Sequence, residues 1–227
     1  MISDIHYSRK SFHGQDQSKA FDWLYGIIEK EKPSLLLSAG DFGDEATLEL
    51  FQPILESTCL LTIYGNHDNV KLIQTLRNQD GSPCLSQDGS VRNYEGLKIA
   101  GISGNIARTK RKVHHKTVEE VREIISKYAR LGKIDMLITH EAPKHELISH
   151  GKMLGNNVFN EATERLSPQL YLCGHVHVPS QILKLNNTTL LNLDSSTRHQ
   201  EYVIAEYERR RIYDIRIISP GSGNSGT

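Results

Sequence analysis

The chain has 227 residues, with 27 lysines and arginines against 27 aspartates and glutamates, so its formal net charge at pH 7 is zero. This balance argues against a general polyanion binder, and a hydrophobic fraction of 37% is typical of a globular chain and not of a disordered one. No apolar run approaches the roughly 18 residues that span a bilayer.

Length and cysteine content predict the organisation and location of the chain. We expect one domain over residues 1–219, followed by a Gly- and Ser-rich segment, 220–227, that is a disordered tail or an expression remnant. The N-terminus lacks the basic and apolar regions of a signal peptide, and the three cysteines are scattered. Both features predict a cytoplasmic protein.

The first part of the chain alternates predicted helices and strands, because apolar residues at helical spacing are separated by short continuous apolar runs. In order, we predict a helix over 17–32, a strand over 35–39, a helix over 45–57 that Pro53 kinks or divides, a strand over 59–63, and a short helix from about 67 to 77.

After about residue 80, the sequence predicts one further long helix and several strands. Thr117, with Glu120 three residues later, predicts a capping box that starts a long helix. The other predicted elements are short strands around 84–85 and 91–94, strands over 97–102, 134–139 and 170–173, and hairpins over 181–194 and 201–218.

Side chains that can bind a metal follow five of the predicted strands. They are Asp4 and His6, Asp41, the run Asn66-His67-Asp68, His140, and the pair His175 and His177. Because the carboxyl ends of strands in an open α/β sheet form the ligand crevice, we expect these groups to converge.

Local geometry supports this convergence. Asp4 and His6, like His175 and His177, are two residues apart, and in an extended segment this spacing points both side chains to one side. A glycine precedes Asp41, Asn66 and His175, where it lets the chain turn sharply off a strand.

Two divalent metals about 3.5–4 Å apart need seven oxygen and nitrogen ligands, one of them a carboxylate able to bridge, and the groups named above are enough to supply them. Such a pair holds a phosphate and lowers the pKa of a bridging water to make hydroxide. No cysteine belongs to the set, which disfavours a closed structural zinc site. We expect Mn²⁺, with Fe, Zn²⁺, Co²⁺ and Ni²⁺ as alternatives.

The motifs from Asp4-x-His6 to Gly174-His175-x-His177 resemble, in their order, the signature of the calcineurin-like metallophosphoesterase superfamily. The resemblance spans residues 4–177. It implies an α/β fold, a four-layer α/β/β/α sandwich of two mixed sheets, with a dinuclear metal site at the carboxyl ends of the strands.

The resemblance also implies roles for individual residues. One metal would be held by Asp4, His6, Asp41 and His177, and the other by Asp41, Asn66, His140 and His175, so that Asp41 bridges. His67 would contact the substrate phosphate and protonate the leaving group. Asp44 would hydrogen-bond His67 and favour its protonated form.

Three features depart from the family pattern, one in the first strand and two in the motifs. The first strand has three residues before Asp4, fewer than is usual, which predicts a trimmed start or a weak sheet edge. Glu45 and Asp68 differ from the residues of the protein Ser/Thr phosphatases, which argues against that activity.

The substrate is less well determined by the sequence. The basic segment 108–116 is either a solvated loop or a flap over the crevice that attracts a nucleotide or nucleic-acid phosphate, and Asn105 and Arg108 are candidate substrate contacts. His13, His145 and His150 are interpreted as surface histidines.

We therefore expect a phosphodiesterase that acts on a nucleotide, cyclic nucleotide or short nucleic acid by attack of a metal-bridging hydroxide. A phosphomonoesterase and a non-catalytic scaffold of the same fold are the alternatives. The sequence predicts no membrane partner and does not determine the oligomeric state.

Overall fold

The structure is a computed structural model that describes residues 1–12, 15–149, 154–195 and 199–220. Its strands are β1 (Ser11–Phe12), β2 (Gln15–Asp16), β3 (Leu35–Ser38), β4 (Cys59–Thr62), β5 (Val91–Tyr94), β6 (Leu97–Ile102), β7 (Asn105–Ile106), β8 (His115–Lys116), β9 (Met136–Thr139), β10 (Leu170–Cys173), β11 (Gln181–Leu185), β12 (Thr188–Asn192), β13 (Tyr202–Glu208) and β14 (Arg211–Ile218). Its helices are α1 (Ala20–Glu31), α2 (Leu48–Ser57), α3 (Val70–Thr75), α4 (Val118–Arg130) and α5 (Asn157–Leu166), with a 3-10 turn at Glu146–Ser149. The predicted tail, from residue 221 onward, lies outside the described residues, as do His13 and His150.

One sheet has six strands in the order β11-β12-β10-β9-β6-β5. Its four central strands are parallel, and the edge strands β11 and β5 pair antiparallel with their neighbours. All four central strands therefore end at the same edge of the sheet.

A second group of strands is built around the parallel pair β3 and β4 and the antiparallel hairpin β13–β14. Residues near the N-terminus connect them: Ile2 bridges Ser38 of β3, while Met1 and Val203 of β13 exchange two backbone hydrogen bonds of 2.6 and 3.0 Å. The first predicted strand is thus a short bridge between β3 and β13.

Successive side chains of each strand pack against different layers, because they point to opposite faces of the sheet. Leu36 and Leu60 pack with α1 to α3, whereas Leu37 and Leu61, one residue on, face the six-stranded sheet. In the six-stranded sheet, Leu137 packs with α4 and α5, whereas the next residue, Ile138, faces β3 and β4. The molecule is a four-layer α/β/β/α sandwich, as predicted.

The long helix α4 shows how local sequence sets this packing. The Thr117 hydroxyl accepts from the Glu120 N–H at 3.2 Å, and the Glu120 carboxylate accepts from the Thr117 N–H at 2.9 Å, which confirms the capping box. Val121, Ile125 and Tyr128 lie on one stripe and are buried. Burial of each such side chain stabilises the fold by on the order of 1.5–3 kcal/mol.

The structure corrects several predicted elements: β1, β2, β7 and β8 were not predicted, and the strand expected around 84–85 is only an isolated bridge at Leu85. Helix α2 begins at Leu48, after a turn closed by the Ala46 N–H and the Gly43 carbonyl, and it runs through Pro53 without being divided. Helix α5 was missed, although Asn156 caps it through its side chain and its apolar residues have helical spacing. Among the described residues, no helix is long and apolar enough to cross a membrane.

Candidate metal centre

The predicted side chains converge where the parallel strands end. Within the described residues, two groups have ligand atoms within 4.8 Å of one another: Asp4, His6 and His177, and Asp4, Asp41 and His140. Asp4, His6, Asp41 and His140 are almost completely buried, whereas His177 is partly exposed. The carboxyl ends of strands from both sheets thus supply one compact cluster.

The backbone reaches this arrangement differently from the prediction. Asp4 and His6 have φ values of 56° and 49°, so the segment is left-handed at both positions and the expected extended geometry is wrong. Asp41 and His175 are also left-handed, with φ of 59° and 67°. Such φ values are costly for residues other than glycine and concentrate at functional sites.

Hydrogen bonds hold these strained positions. The N–H of Asp4 donates to the Gly40 carbonyl at 3.0 Å, and the N–H of His6 donates to the Asp41 carbonyl at 2.8 Å. The His175 N–H donates to Asp4 Oδ2 at 2.9 Å. The segment that carries Asp4 and His6 is therefore joined to the Asp41 loop by backbone hydrogen bonds, and the His175 loop is joined to it through the Asp4 carboxylate.

The three glycines before the ligands have two different roles. Gly40 has φ of 91° and makes the sharp turn that was predicted. At Gly65 and Gly174, space is limiting, because a Cβ at Gly65 would collide with the Asp41 carboxylate and a Cβ at Gly174 with that of Asp4. Both positions need glycine so that the carboxylates can approach the chain.

Asp41 lies between the two halves of the cluster. Its Oδ2 is 3.7 Å from His6 Nε2 and 3.3 Å from His140 Nε2. His6 Nε2 is also 3.4 Å from Asp4 Oδ1. One carboxylate oxygen thus faces a histidine on each side.

The second half of the cluster is centred on His140 Nε2. This atom is 3.1 Å from Asn66 Oδ1 and 3.2 Å from His175 Nδ1, in addition to Asp41. The other ring nitrogen, Nδ1, lies 2.9 Å from the Ala39 carbonyl, which fixes the orientation of the ring.

The pKa values of these residues are shifted because the side chains are buried close to one another. Burial opposes the protonation of His140, but the Asp41 carboxylate outweighs it and raises the pKa of His140 to about 10. Burial, together with the charge of His140, lowers the pKa of His175 to about 4. Burial opposes the ionisation of Asp4 and Asp41, and the surrounding histidines nevertheless lower the pKa of both carboxyls. The cluster therefore favours positive charge at its centre.

These residues fit divalent metal ions. The set offers carboxylate, amide and imidazole donors without cysteine, which suits Mn²⁺ and the other borderline divalent ions. Among the described residues, the buried Asp4 Oδ1 accepts no hydrogen bond. A buried carboxylate oxygen is costly without such a partner, and a cation would satisfy it.

Asp68, the last residue of the motif, holds two ligand loops together. Its carboxylate accepts from the N–H groups of Asp41, Phe42 and Gly65 at 2.7 to 2.8 Å. Burial and the charge of Asp41 raise the pKa of Asp68 to about 6. Asp68 was expected only among the side chains that can bind a metal, and its contacts show that it caps backbone N–H groups, as an acid after a sharp turn commonly does.

His67 and Asp44 lie at the rim of the cluster. His67 Nδ1 is 3.7 Å from Asp44 Oδ2, and the side chains are 43% and 67% exposed. The N–H of His67 donates to Asp41 Oδ1 at 2.8 Å. Together with His6 they line a cleft of about 140 Å³ beside the candidate metal ligands.

The basic segment is exposed along part of its length, as one alternative predicted, whereas its role as a flap over the crevice stays a prediction. Its stretch 108–113, including Arg108, is exposed, and Lys110 pairs with Glu120 at 2.7 Å. Its base is tied down by the pairing of β8 with β7, which places Asn105 opposite His115. We call residues 105–116 the flap.

The base of the flap is anchored beside the metal ligands. The Ile106 N–H donates to Glu141 Oε2 at 2.8 Å, next to His140 in the chain. Buried Lys116 pairs with Asp88 at 2.8 Å, and its Nζ lies 5.3 Å from the ring centroid of Tyr64. Asn105 and Arg108 belong to the flap and lie outside the ligand cluster.

Fold and site together define a metal-binding α/β protein. The chain belongs to the calcineurin-like phosphoesterase family, whose model matches residues 1–179. That family is one of metal-dependent phosphoesterases, which supports a hydrolase acting on phosphoester bonds. None of the curated proteins matches the chain significantly.

Solved structures show the same fold at low sequence identity. TT1561 of Thermus thermophilus is 11% identical with a TM-score of 0.71, covering 95% of this chain and 96% of that one. Vps29 of Entamoeba histolytica, solved with Zn²⁺, is 12% identical with a TM-score of 0.52, covering 98% and 92%. GAP50 of Plasmodium, described as the anchor in the inner membrane complex, is 14% identical with a TM-score of 0.50, covering 86% and 70%.

Proposed function

We propose that this protein is a metal-dependent phosphodiesterase that acts on a nucleotide, a cyclic nucleotide or a short nucleic acid. The observation that carries the proposal is the position of Asp41 Oδ2, 3.7 Å from His6 Nε2 and 3.3 Å from His140 Nε2. A carboxylate shared by two ligand sets is what a two-metal phosphoesterase site requires.

Each ion has four proposed ligands. We assign Asp4, His6, Asp41 and His177 to one ion, and Asp41, Asn66, His140 and His175 to the other. The short separations within each set support the assignment. When bound, two such ions activate a water molecule and stabilise the charge of an in-line displacement. We propose Mn²⁺, with Fe, Zn²⁺, Co²⁺ and Ni²⁺ as the other possible outcomes of metal analysis.

The protein's own groups complete the reaction. We assign to His67 the donation of a proton to the leaving-group oxygen, because it lines the cleft beside the ligands and is partly exposed to solvent. Asp44 Oδ2 lies 3.7 Å from Nδ1, too far for the expected hydrogen bond but close enough to form an ion pair with the protonated ring. The hydrogen bond from the His67 N–H to Asp41 Oδ1 fixes the acid relative to the metals.

The flap favours a substrate that carries more than one anionic or polar group. Arg108, Arg111 and Lys112 are exposed on it, and His114 is buried at its base. Burial lowers the pKa of His114, and the negative charges of Asp41 and Asp44 act against this shift. Asn105 Oδ1 is buried and accepts no hydrogen bond within the described residues, which leaves an acceptor for a substrate group.

A substrate panel tests this function. We would compare p-nitrophenyl phosphate, bis-p-nitrophenyl phosphate, cyclic nucleotides and single-stranded DNA and RNA, each with Mn²⁺ and with a chelator. The proposal expects Mn²⁺-dependent hydrolysis of the diesters and its loss in Asp41→Asn, with the exposed remote carboxylate variant Asp214→Asn as matched control. Faster hydrolysis of the monoester would identify a phosphomonoesterase. No hydrolysis by a protein that binds Mn²⁺ would favour the non-catalytic scaffold.

We also propose that residues 1–219 fold as one domain and that the protein resides in the cytoplasm. The hydrogen bonds between Met1 and Val203 support the first statement, since they join the two ends of the chain. Three free cysteines suit a reducing compartment. Limited proteolysis and cell fractionation test the two statements in turn.

A further inference from the structure

The end of a sixth strand, β12, also lies at the proposed metal centre, although no residue after this strand was predicted to contribute. Strand β12 is parallel to β10, with Asn192 opposite Cys173, so both strands end at the same edge. His175 and His177 follow β10, and Asp194 follows β12 after Leu193. Asp194 is completely buried.

The Asp194 carboxylate contacts the ring of His177. Its Oδ1 lies 3.3 Å from His177 Nδ1. Its Oδ2 is buried and accepts no hydrogen bond within the described residues, and His199 Nε2 stands 3.9 Å from it. A buried carboxylate is costly unless a hydrogen bond or an ion pair compensates for the lost water. The two imidazoles beside Asp194 are the groups that can supply this compensation.

The backbone around Asp194 is rigidly placed. Its N–H donates to Ser180 Oγ at 3.3 Å, and Asn192 donates from its side chain to the Val176 carbonyl, also at 3.3 Å. The next residue, Ser195, donates from its N–H to the Ser3 carbonyl at 3.0 Å. The end of β12 is therefore fixed both to the segment that carries His177 and to the loop that carries Asp4.

We propose that Asp194 is a positioning residue that fixes the tautomer and orientation of His177. An imidazole that donates Nδ1–H to a carboxylate keeps the lone pair of its other nitrogen, Nε2. One nitrogen of His177 lies within 4.8 Å of ligand atoms of Asp4 and His6, and because Nδ1 is the atom beside Asp194, we assign the nitrogen that faces them as Nε2. Partners that orient a metal-binding histidine in this way typically contribute 10- to 100-fold in metal affinity.

The inference rests on the proposed metal centre but not on catalysis, and its tests use no phosphoester. Mn²⁺ binding would be measured by calorimetry on the wild type and on Asp194→Asn, which keeps the side-chain volume. The matched control is Asp135→Asn, because Asp135 is also completely buried but lies at the start of β9, away from the strand ends that carry the ligands. In Asp194→Asn we expect one of the two sites to weaken by about 10- to 100-fold and the other to change by less than about threefold.

Two further measurements separate orientation of His177 from a general structural effect. Long-range ¹H–¹⁵N NMR of the metal-free wild type at pH 9 should show His177 protonated on Nδ1, and this result needs no variant to fold. In a His177→Gln background, adding Asp194→Asn should not weaken Mn²⁺ binding further. Wild-type affinity in Asp194→Asn, equal weakening of both sites, or an Nε2-protonated His177 in the wild type would each overturn the proposal.

Discussion

Replacing Gly65 with alanine changes the metal centre without altering any ligand. Gly65 sits directly before Asn66, and a Cβ built there would lie 2.6 Å from His140 Cε1 and even closer to the Asp41 carboxylate. Ordinary carbon contacts begin near 3.4 Å. The His140 ring, the Asp41 carboxylate or the loop must therefore move by about 1 Å, which is the scale of misplacement that costs about 100-fold in rate.

The expected cost follows from what would have to shift. Asp41 Oδ1 accepts the His67 N–H, and His140 Nδ1 is held by the Ala39 carbonyl, so displacement of either side chain disturbs a hydrogen bond. We expect overpacking to lower the free energy of unfolding by about 1–3 kcal/mol. Mn²⁺ affinity should fall by at least about tenfold and turnover by about 100-fold.

The chain offers a matched glycine for comparison. Gly26 lies within α1, and a Cβ there would meet nothing within 4 Å. Gly26→Ala should therefore stabilise the protein by about 0.5–1 kcal/mol and leave Mn²⁺ binding unchanged. Calorimetric titration with Mn²⁺ and urea unfolding of both variants provide the comparison. Wild-type Mn²⁺ affinity in Gly65→Ala would refute the argument that space at this glycine sets the ligand geometry.

Three further predictions concern stability, and urea unfolding tests each. Burial opposes the ionisation of Asp135, but its hydrogen bonds and its ion pair with Arg210 lower its pKa, so its carboxylate stabilises the fold above about pH 4 and loses this effect as the pH falls through the lowered pKa. Asp135→Asn should cost about 2 kcal/mol at pH 7 and clearly less at pH 3, and an equal cost at both values would contradict the ionic interpretation. Asp68→Ala removes the acceptor for three buried N–H groups and should cost at least about 3 kcal/mol, so a loss below about 1 kcal/mol would show that the ligand loops do not depend on it. Thr117→Ala removes the side-chain acceptor of the Glu120 N–H and should cost about 1 kcal/mol, with no change in Mn²⁺ binding, whereas a neutral result would mean that the cap does not stabilise α4.

Much of the fold was predictable because its signals are local. The strand β10 and the box at Thr117 were found where the structure has them, since each depends on a few adjacent residues. Helix α5 also carries a local signal, the Asn156 cap followed by Val158, Phe159 and Ala162, but it was not predicted.

Other features depend on contacts that are distant in sequence. The two-residue strands β7 and β8 exist because each pairs with the other across the exposed part of the flap, and neither has a recognisable pattern. The left-handed backbone at Asp4 and His6 is imposed by hydrogen bonds to residues 40 and 41, so the spacing of two could not reveal it.

The candidate site shows the same division. The rule that parallel strands end at one edge predicted the convergence of the candidate ligands, and the clustering of Asp4, Asp41 and His140 agrees with it. The orientation of His177 by Asp194 required the pairing of β12 with β10, because only that register brings the two residues together. Sequence patterns thus located the ligands, and tertiary pairing determined how they are held.

Metal stoichiometry tests the central claim most directly. The protein would be saturated with Mn²⁺, freed of excess ion and analysed by mass spectrometry of the elements, beside Asp41→Asn. The shared position of Asp41 between His6 and His140 predicts about two Mn²⁺ ions per wild-type chain and fewer than one in the variant. A wild type that retains one ion or none, or an Asp41→Asn variant that retains two, would contradict a two-metal centre bridged by Asp41.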